Sequence, residues 1–149
     1  MSWEEARRWR HDFRGRVVFT NGVFDLLHPG HIDILSESRG LGDALVVGVN
    51  SDDSVRRLKG PTRPIRGEAD RAYVLAALES VDAVVLFSDD TPLELILSLK
   101  PDVIAKGGDY TVDTIVGARE VRGWGGEAVV IPLTPGHSTT STIEKLSGR

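Results

Sequence analysis

The sequence predicts a doubly wound α/β fold: one domain, five parallel strands, helices on both faces. Three observations carry that prediction. Short, nearly continuous apolar runs rich in valine and isoleucine recur along the chain, as in strands covered on both faces. Segments with helical spacing alternate with them across short links, the pattern of right-handed strand–helix–strand units. The polar and glycine-rich clusters fall just after these runs, where such sheets bind ligands.

The first strand is Val17-Val18-Phe19 and the second is 44–49 (ALVVGV). The third is 83–87 (AVVLF), the fourth Val103-Ile104-Ala105 and the fifth 128–131 (AVVI). Ile32, Leu35 and Leu41 mark a helix after the first strand. Ser51-Asp52-Asp53 supplies N-cap chemistry for a short helix bearing Val55 and Leu58. Residues 69–78 combine high helix propensity with an apolar stripe of Ala72, Leu75, Ala76 and Leu78. Thr91-Pro92-Leu93-Glu94 reads as a capping box with proline at the first helical position, ahead of Leu93, Ile96 and Leu97. A weaker helix is expected over 115–121 and a last one over 138–146. Together these elements describe a Rossmann-like sheet in a single domain spanning 1–149. Residues 1–14 are expected to form a loosely attached arm.

Composition narrows the function classes. With 149 residues, 40% hydrophobic and 27% charged, the chain suits one globular domain and not a disordered segment. It has no cysteine, which excludes disulfides and thiolate metal sites. A net charge of −4 argues against a nucleic-acid partner. No apolar run approaches the ~20 residues of a membrane span. The charged stretch 1–16 lacks the apolar centre of a secretory signal, so a cytoplasmic protein is expected. Basic residues still cluster at Arg56, Arg57, Lys59, Arg63, Arg66 and Arg71, as a solvated face or as an anion site.

Residues 20–31 read TNGVFDLLHPGH. Pro29 suits a first helical turn, where its missing N–H leaves nothing unpaired. The free N–H groups and dipole of that turn attract anions, and Gly30 would let a phosphate reach the backbone. His28 and His31, three residues apart, lie on the same side of the helix start. Each imidazole can donate to phosphate oxygens, and phosphate charge favours the protonated rings. A purely structural role for the histidines competes with this reading. A zinc site would need a third ligand, and no His-Glu-x-x-His is present, so no protein metal site is expected. The loop has neither G-x-G-x-x-G nor G-x-x-x-x-G-K-[ST], which argues against a dinucleotide site or a P-loop.

Further clusters follow. Lys59 and Arg63 sit in the loop LKGPTRPI, as cations able to close over phosphates or as solvated surface groups. Arg71, on the next helix, either reaches phosphate or faces solvent. Lys106-Gly107-Gly108-Asp109-Tyr110 directly follows a buried strand. Its glycines suggest a close-packed ligand wall, with Asp109 able to accept from sugar hydroxyls. Lys106 is alternatively a strand-edge charge. Ser138, Thr139 and Thr140 can cap the last helix and add donors to an anion site. His137 has no assigned role.

In this strand-to-helix setting, with Asn21-Gly22 and Phe24-Asp25 ahead of it, His28-Pro29-Gly30-His31 resembles the H-x-G-H signature of the cytidylyltransferase-like nucleotidyltransferase superfamily. With LKG-x-x-RPI, KGGDY and STT following in order, residues 16–146 are similar to the D-glycero-β-D-manno-heptose 1-phosphate adenylyltransferases, the ADP-heptose synthase nucleotidyltransferase domain. The resemblance implies transfer of AMP from ATP to a heptose 1-phosphate, giving ADP-heptose and pyrophosphate. It implies that Gly22, Val23, Phe24, His28, Gly30 and His31 hold the nucleotide, with Lys59 on the triphosphate and Ser138, Thr139 and Thr140 as the hydroxyl segment. Asn21 and Arg71 join that expected nucleotide set, and His28, His31 and Lys59 are the expected catalytic residues. Asp25, Arg63, Lys106, Gly107 and Asp109 are expected around the acceptor. Mg²⁺ is expected to bridge phosphate oxygens with few protein ligands. A homodimer is implied, and a sugar kinase is expected as a separate protein, because many relatives carry a fused kinase domain that these residues do not. Alternatives are cytidylyl transfer to glycerol 3-phosphate or a related polyol or sugar phosphate, adenylyl transfer to FMN, and a nucleotide-binding module without turnover.

Overall fold

Apolar strands separated by helices with one apolar face leave few ways to bury both. A computed structural model of the chain shows the solution: one parallel five-stranded sheet in the order β3-β2-β1-β4-β5. The structure describes residues 1–108 and 110–132. In chain order the elements are α1 (Trp3–Asp12), β1 (Val17–Gly22), α2 (Pro29–Arg39), β2 (Ala44–Asn50), α3 (Asp52–Lys59) and α4 (Glu68–Ala76). Next come β3 (Ala83–Phe87), α5 (Leu93–Leu99), β4 (Val103–Gly107), a 3₁₀ turn (Val112–Thr114), α6 (Ala118–Gly123) and β5 (Glu127–Ile131). This is the doubly wound fold the pattern predicts.

Alternation along the strands divides the core into two layers. Val17 and Phe19 of β1 point to one face, with Ala6 of α1, Leu95, Ile96 and Leu99 of α5, and Val121 of α6. Val18 points to the other, with Leu35 of α2 and Leu75 of α4. Burying each of the larger of these side chains contributes roughly 1.5–3 kcal/mol. The central strands are covered on both faces, which is why they read as unbroken apolar runs.

The strands run further at their carboxyl ends than hydrophobicity indicates. β1 continues through Thr20, Asn21 and Gly22, because each pairs in register with β2 at Val47, Gly48 and Val49. β4 likewise reaches Gly107, opposite Ile131. Ladder pairing between neighbours carries these polar residues into the sheet.

The N-terminal segment is not a loose arm. Ser2 and Glu5 form a reciprocal capping box at the start of α1. Trp3 Nε1 donates to the Leu86 carbonyl at 2.8 Å, and Arg10 reaches the Leu99 and Lys100 carbonyls and the Asp102 carboxylate. Trp3, Ala6, Trp9 and Phe13 make the apolar stripe, diluted in the sequence by the charges between them. Two smaller corrections concern caps. α5 begins at Leu93 with Pro92 itself as N-cap and no side-chain cap bond to Pro92, so the capping box expected over 91–94 does not form. Of the weak helix expected over 115–121, only 118–121 is helical, as the start of α6; residues 115–117 connect it to the preceding 3₁₀ turn, and Gly117 is its N-cap. The helix expected over 138–146 lies outside the described residues. Among the described residues, no helix is long and apolar enough to cross a membrane.

From β1 the chain winds outward to β2 and β3, then returns to place β4 on the other side of β1. Connections therefore diverge above the carboxyl ends of β1 and β4, which opens a crevice there. Replacement of the α1 cap, Ser2→Ala, is expected to lower stability by ~1 kcal/mol, read as a lower urea midpoint at unchanged m. An unaltered midpoint would show that the capping box does not hold α1 in place.

Candidate active site

Above the strand ends lies a cavity of about 550 Å³. β1 supplies Asn21 and Gly22, followed by Val23 and Phe24; α2 supplies His31, preceded by its N-cap His28; α3 supplies Lys59; β4 supplies Lys106 and Gly107. Nine residues singled out from sequence thus share one cavity.

The histidines build the helix start that holds them. His28 is the extended N-cap of α2, and its Nδ1 accepts the Gly30 N–H at 3.1 Å. His31 Nδ1 in turn accepts the His28 N–H at 3.3 Å. Two imidazoles therefore perform the reciprocal bonding of a capping box. Their rings stack with centroids 3.8 Å apart at 21°. Acceptance at Nδ1 assigns the proton of a neutral ring to Nε2, which makes Nε2 the donor.

Charge in the cavity is desolvated. Burial, reinforced by the neighbouring His28, holds the His31 imidazolium down to about 4, against an opposing pull from the Leu26 carbonyl. His31 is therefore neutral at pH 7 without ligand, and an arriving phosphate would offset part of that penalty. Burial, followed by repulsion from Lys59, pulls Lys106 below the usual lysine range. Lys106 Nζ donates to the Asn21 carbonyl at 3.1 Å and lies 5.7 Å from the Tyr110 ring centroid. Two lysines whose charges disfavour each other give the cavity a chemistry suited to a multivalent anion.

The two glycines after β4 have separate reasons. A Cβ on Gly107 would lie 2.5 Å from Ile34 Cδ1, so α2 can approach β4 only over a bare backbone. Gly108 has a φ of 125°, in the region that favours glycine.

Four expected contacts are corrected. Gly30 is buried, and its N–H is taken by His28 instead of facing a phosphate. The Asp25 carboxylate is buried and accepts the Ile65 and Arg66 N–H groups, at 2.9 Å and 2.8 Å, so it anchors a loop and not an acceptor. Arg63 turns inward to Asp25, with its Nε 3.4 Å from the carboxylate. Arg71, expected on phosphate, is buried with its guanidinium on the Val23, Asn50 and Arg66 carbonyls and on Asp52. In each case a buried polar group took the nearest protein partner, as burial demands. Asp109, His137, Ser138, Thr139 and Thr140 lie outside the described residues. Sequence reasoning missed Asn50, Phe87, Asp90 and Pro92, which form the opposite wall. Their signal was position alone, at or just after the ends of β2 and β3. Asp90 accepts from Arg57 Nε at 3.0 Å, and Arg57 also bonds the Ser88 carbonyl, which ties α3 to that wall.

The cytidylyltransferase-like family model matches residues 19–145. This chain belongs to the cytidylyltransferase-like family of nucleotidyltransferases. Two curated members, each titled bifunctional protein HldE, come from Acidiphilium cryptum and Paramagnetospirillum magneticum. The first is 60% identical over 96% of this chain and 29% of its own length; the second is 58% identical over 97% and 30%. The chain thus spans less than a third of these relatives. A lipopolysaccharide core biosynthesis protein from Thermoplasma volcanium is 33% identical, with a TM-score of 0.66 over 81% of this chain and 98% of that one. A pantoate–β-alanine ligase from Francisella tularensis shares the fold at 15% identity, with a TM-score of 0.67 over 97% of this chain and 71% of that one.

In this family member, the depressed His31 has a consequence for stability. Its folded value, about 4, lies below its ordinary 6.5, so the unfolded chain binds the proton first. The His31 contribution is complete above 6.5 and is lost as pH falls through 6.5 toward 4. Wild-type protein should lose more stability between pH 7 and pH 4.5 than His31→Gln, by urea midpoint. Parallel losses would show that His31 titrates normally.

Proposed function

We propose that this chain transfers AMP from ATP to D-glycero-β-D-manno-heptose 1-phosphate, giving ADP-heptose and pyrophosphate. The observation that carries the proposal is the stacked His28–His31 pair sharing one cavity with Lys59 and Lys106. The relatives named above, one of them titled for lipopolysaccharide core biosynthesis, favour a sugar phosphate as acceptor.

In this reading an oxygen of the acceptor phosphate attacks the α-phosphorus of ATP, and the bond from that phosphorus to the β-phosphate oxygen breaks. A phosphate monoester has a second pKa near ~6, so the nucleophile is already ionised at pH 7 and no strong base is required. The obstacle is the meeting of two anions, and catalysis is positioning plus charge stabilisation. His28 and His31 donate from Nε2 to oxygens around the α-phosphorus. Lys59 holds the departing β- and γ-phosphates, and Lys106 steadies the approaching phosphate. Imidazoles and ammonium groups suit phosphate oxygens better than they suit a hard cation. Mg²⁺ would be held through the nucleotide phosphates, where it would neutralise charge. A cytoplasmic homodimer supplied with acceptor by a sugar kinase completes the proposal. Exposed Tyr73 and Val74 on α4 offer apolar surface to a second copy.

Pyrophosphate release across four nucleoside triphosphates and a panel of sugar, polyol and flavin phosphates tests the reaction. Turnover only with ATP and the heptose 1-phosphate is expected; preference for CTP with glycerol 3-phosphate would overturn it. His28→Ala or His31→Ala should lower kcat by ~10²-fold or more, the scale of losing one preorganised donor. Lys59→Ala should chiefly raise KM for ATP, and near-normal kinetics in all three would remove these roles.

A further inference from the structure

Arg71 does not line the cavity, yet it grips two backbone segments that do. Its Nη1 donates to the Val23 carbonyl at 2.8 Å and to the Asn50 carbonyl at 2.7 Å, which joins the end of β2 to the turn after β1. Nε donates to the Arg66 carbonyl at 3.0 Å, and Nη2 to Asp52 at 2.8 Å. The residue after Val23 is Phe24, with a φ of 51°. Among the described residues, the other non-glycine residue with positive φ is Lys100, the C-cap of α5, a position where helices commonly end in that conformation. Phe24 has no such setting, and a strained residue persists only where its surroundings over-determine it. Here they do. Arg71 holds the carbonyl before it, and Asp25 after it is bound to the Ile65 and Arg66 N–H groups. The Phe24 ring is buried and lies edge-on to the His31 imidazole, with centroids 5.5 Å apart at 65°.

We propose that Arg71 is a positioning residue for His31, acting through Phe24. Its hold on the Val23 carbonyl keeps Phe24 in the left-handed conformation, and the Phe24 ring then sets the orientation of the imidazole. The planar guanidinium is essential to this role, because a single ammonium cannot span the Val23, Asn50 and Arg66 carbonyls and Asp52 together. The kinetic part of the proposal rests on the reaction proposed above; the orientation part does not.

The test uses the full chain with Arg71→Lys, Phe24→Leu, the double variant, and Leu99→Ala as a destabilised control on the opposite face of the sheet. The first readout, without ligand, is the ¹H–¹³C signal of the His31 ring, assigned by its loss in His31→Gln. Arg71→Lys should move that signal in the direction that Phe24→Leu moves it, and Leu99→Ala should leave it in place. The second readout is pyrophosphate release across a range of ATP concentrations that reaches saturation. Arg71→Lys should lower kcat by about 10-fold or more, since small misplacements of reacting groups are costly, with KM for ATP within about 3-fold of wild type. The double variant should be no more than about 2-fold slower than Phe24→Leu alone, as expected for residues acting in series. A His31 signal unmoved in folded Arg71→Lys overturns the proposal, as does a double variant whose loss is the product of the single losses. If Arg71→Lys does not fold, Asp52→Asn loosens the same guanidinium and should give a smaller shift in the same direction; no shift again overturns it. If wild-type protein turns over none of the panel, the reaction fails, and the ring signal alone decides the role of Arg71.

Discussion

Everything in this molecule depends on β1 being enclosed from four sides. Its edges are taken by β2 and β4, and its faces by the two helical layers. A strand with no free edge or face can present function only at its end. The chain leaves that end through Gly22, turns at Phe24 and enters α2 after its N-cap His28, so the turn is held between the sheet and the first crossover helix. The reversal of winding at β1 keeps the space above it open.

That placement explains how the cavity combines weakly solvated charge with a rigid frame. Burial lowers the proton affinity of both Lys106 and His31, and His31 is neutral at pH 7. Desolvation disfavours the charged form of each group, and a neighbouring anion would offset that cost. The histidines cap α2 through Nδ1, so the same two rings that face the cavity also fix the start of the helix.

A second tier of charge lies beneath the cavity. Asp25 and Arg71 bond to backbone groups of neighbouring segments, and Arg63 bonds to Asp25. Buried ions satisfied in this way are weak evidence for extra stability, since desolvation offsets much of their attraction. Their contribution is geometric: they connect the ends of β1 and β2, the 60–67 loop and α3 into one frame. Arg57, bonded to Asp90 and Ser88, extends that frame to the far wall.

From sequence alone, the five strands, their order of appearance, the four central helices and most of the cavity were legible. Apolar continuity, helical spacing and the polar residues after each strand are local signals, and doubly wound topology converts them into a shared site. The directions of Gly30, Asp25, Arg63 and Arg71 were not legible, because a charged or small residue near a phosphate motif looks the same whether it faces ligand or backbone. Only the packed structure shows which carbonyls and N–H groups needed partners. The same holds for α1, whose aromatic stripe has meaning only against β3 and α5, and for Asn50, Phe87, Asp90 and Pro92, which share a wall because β2 and β3 are neighbours. Residue chemistry was written in the sequence; the partner of each buried polar group was decided by tertiary contact, since its desolvation had to be met by whatever lay within reach.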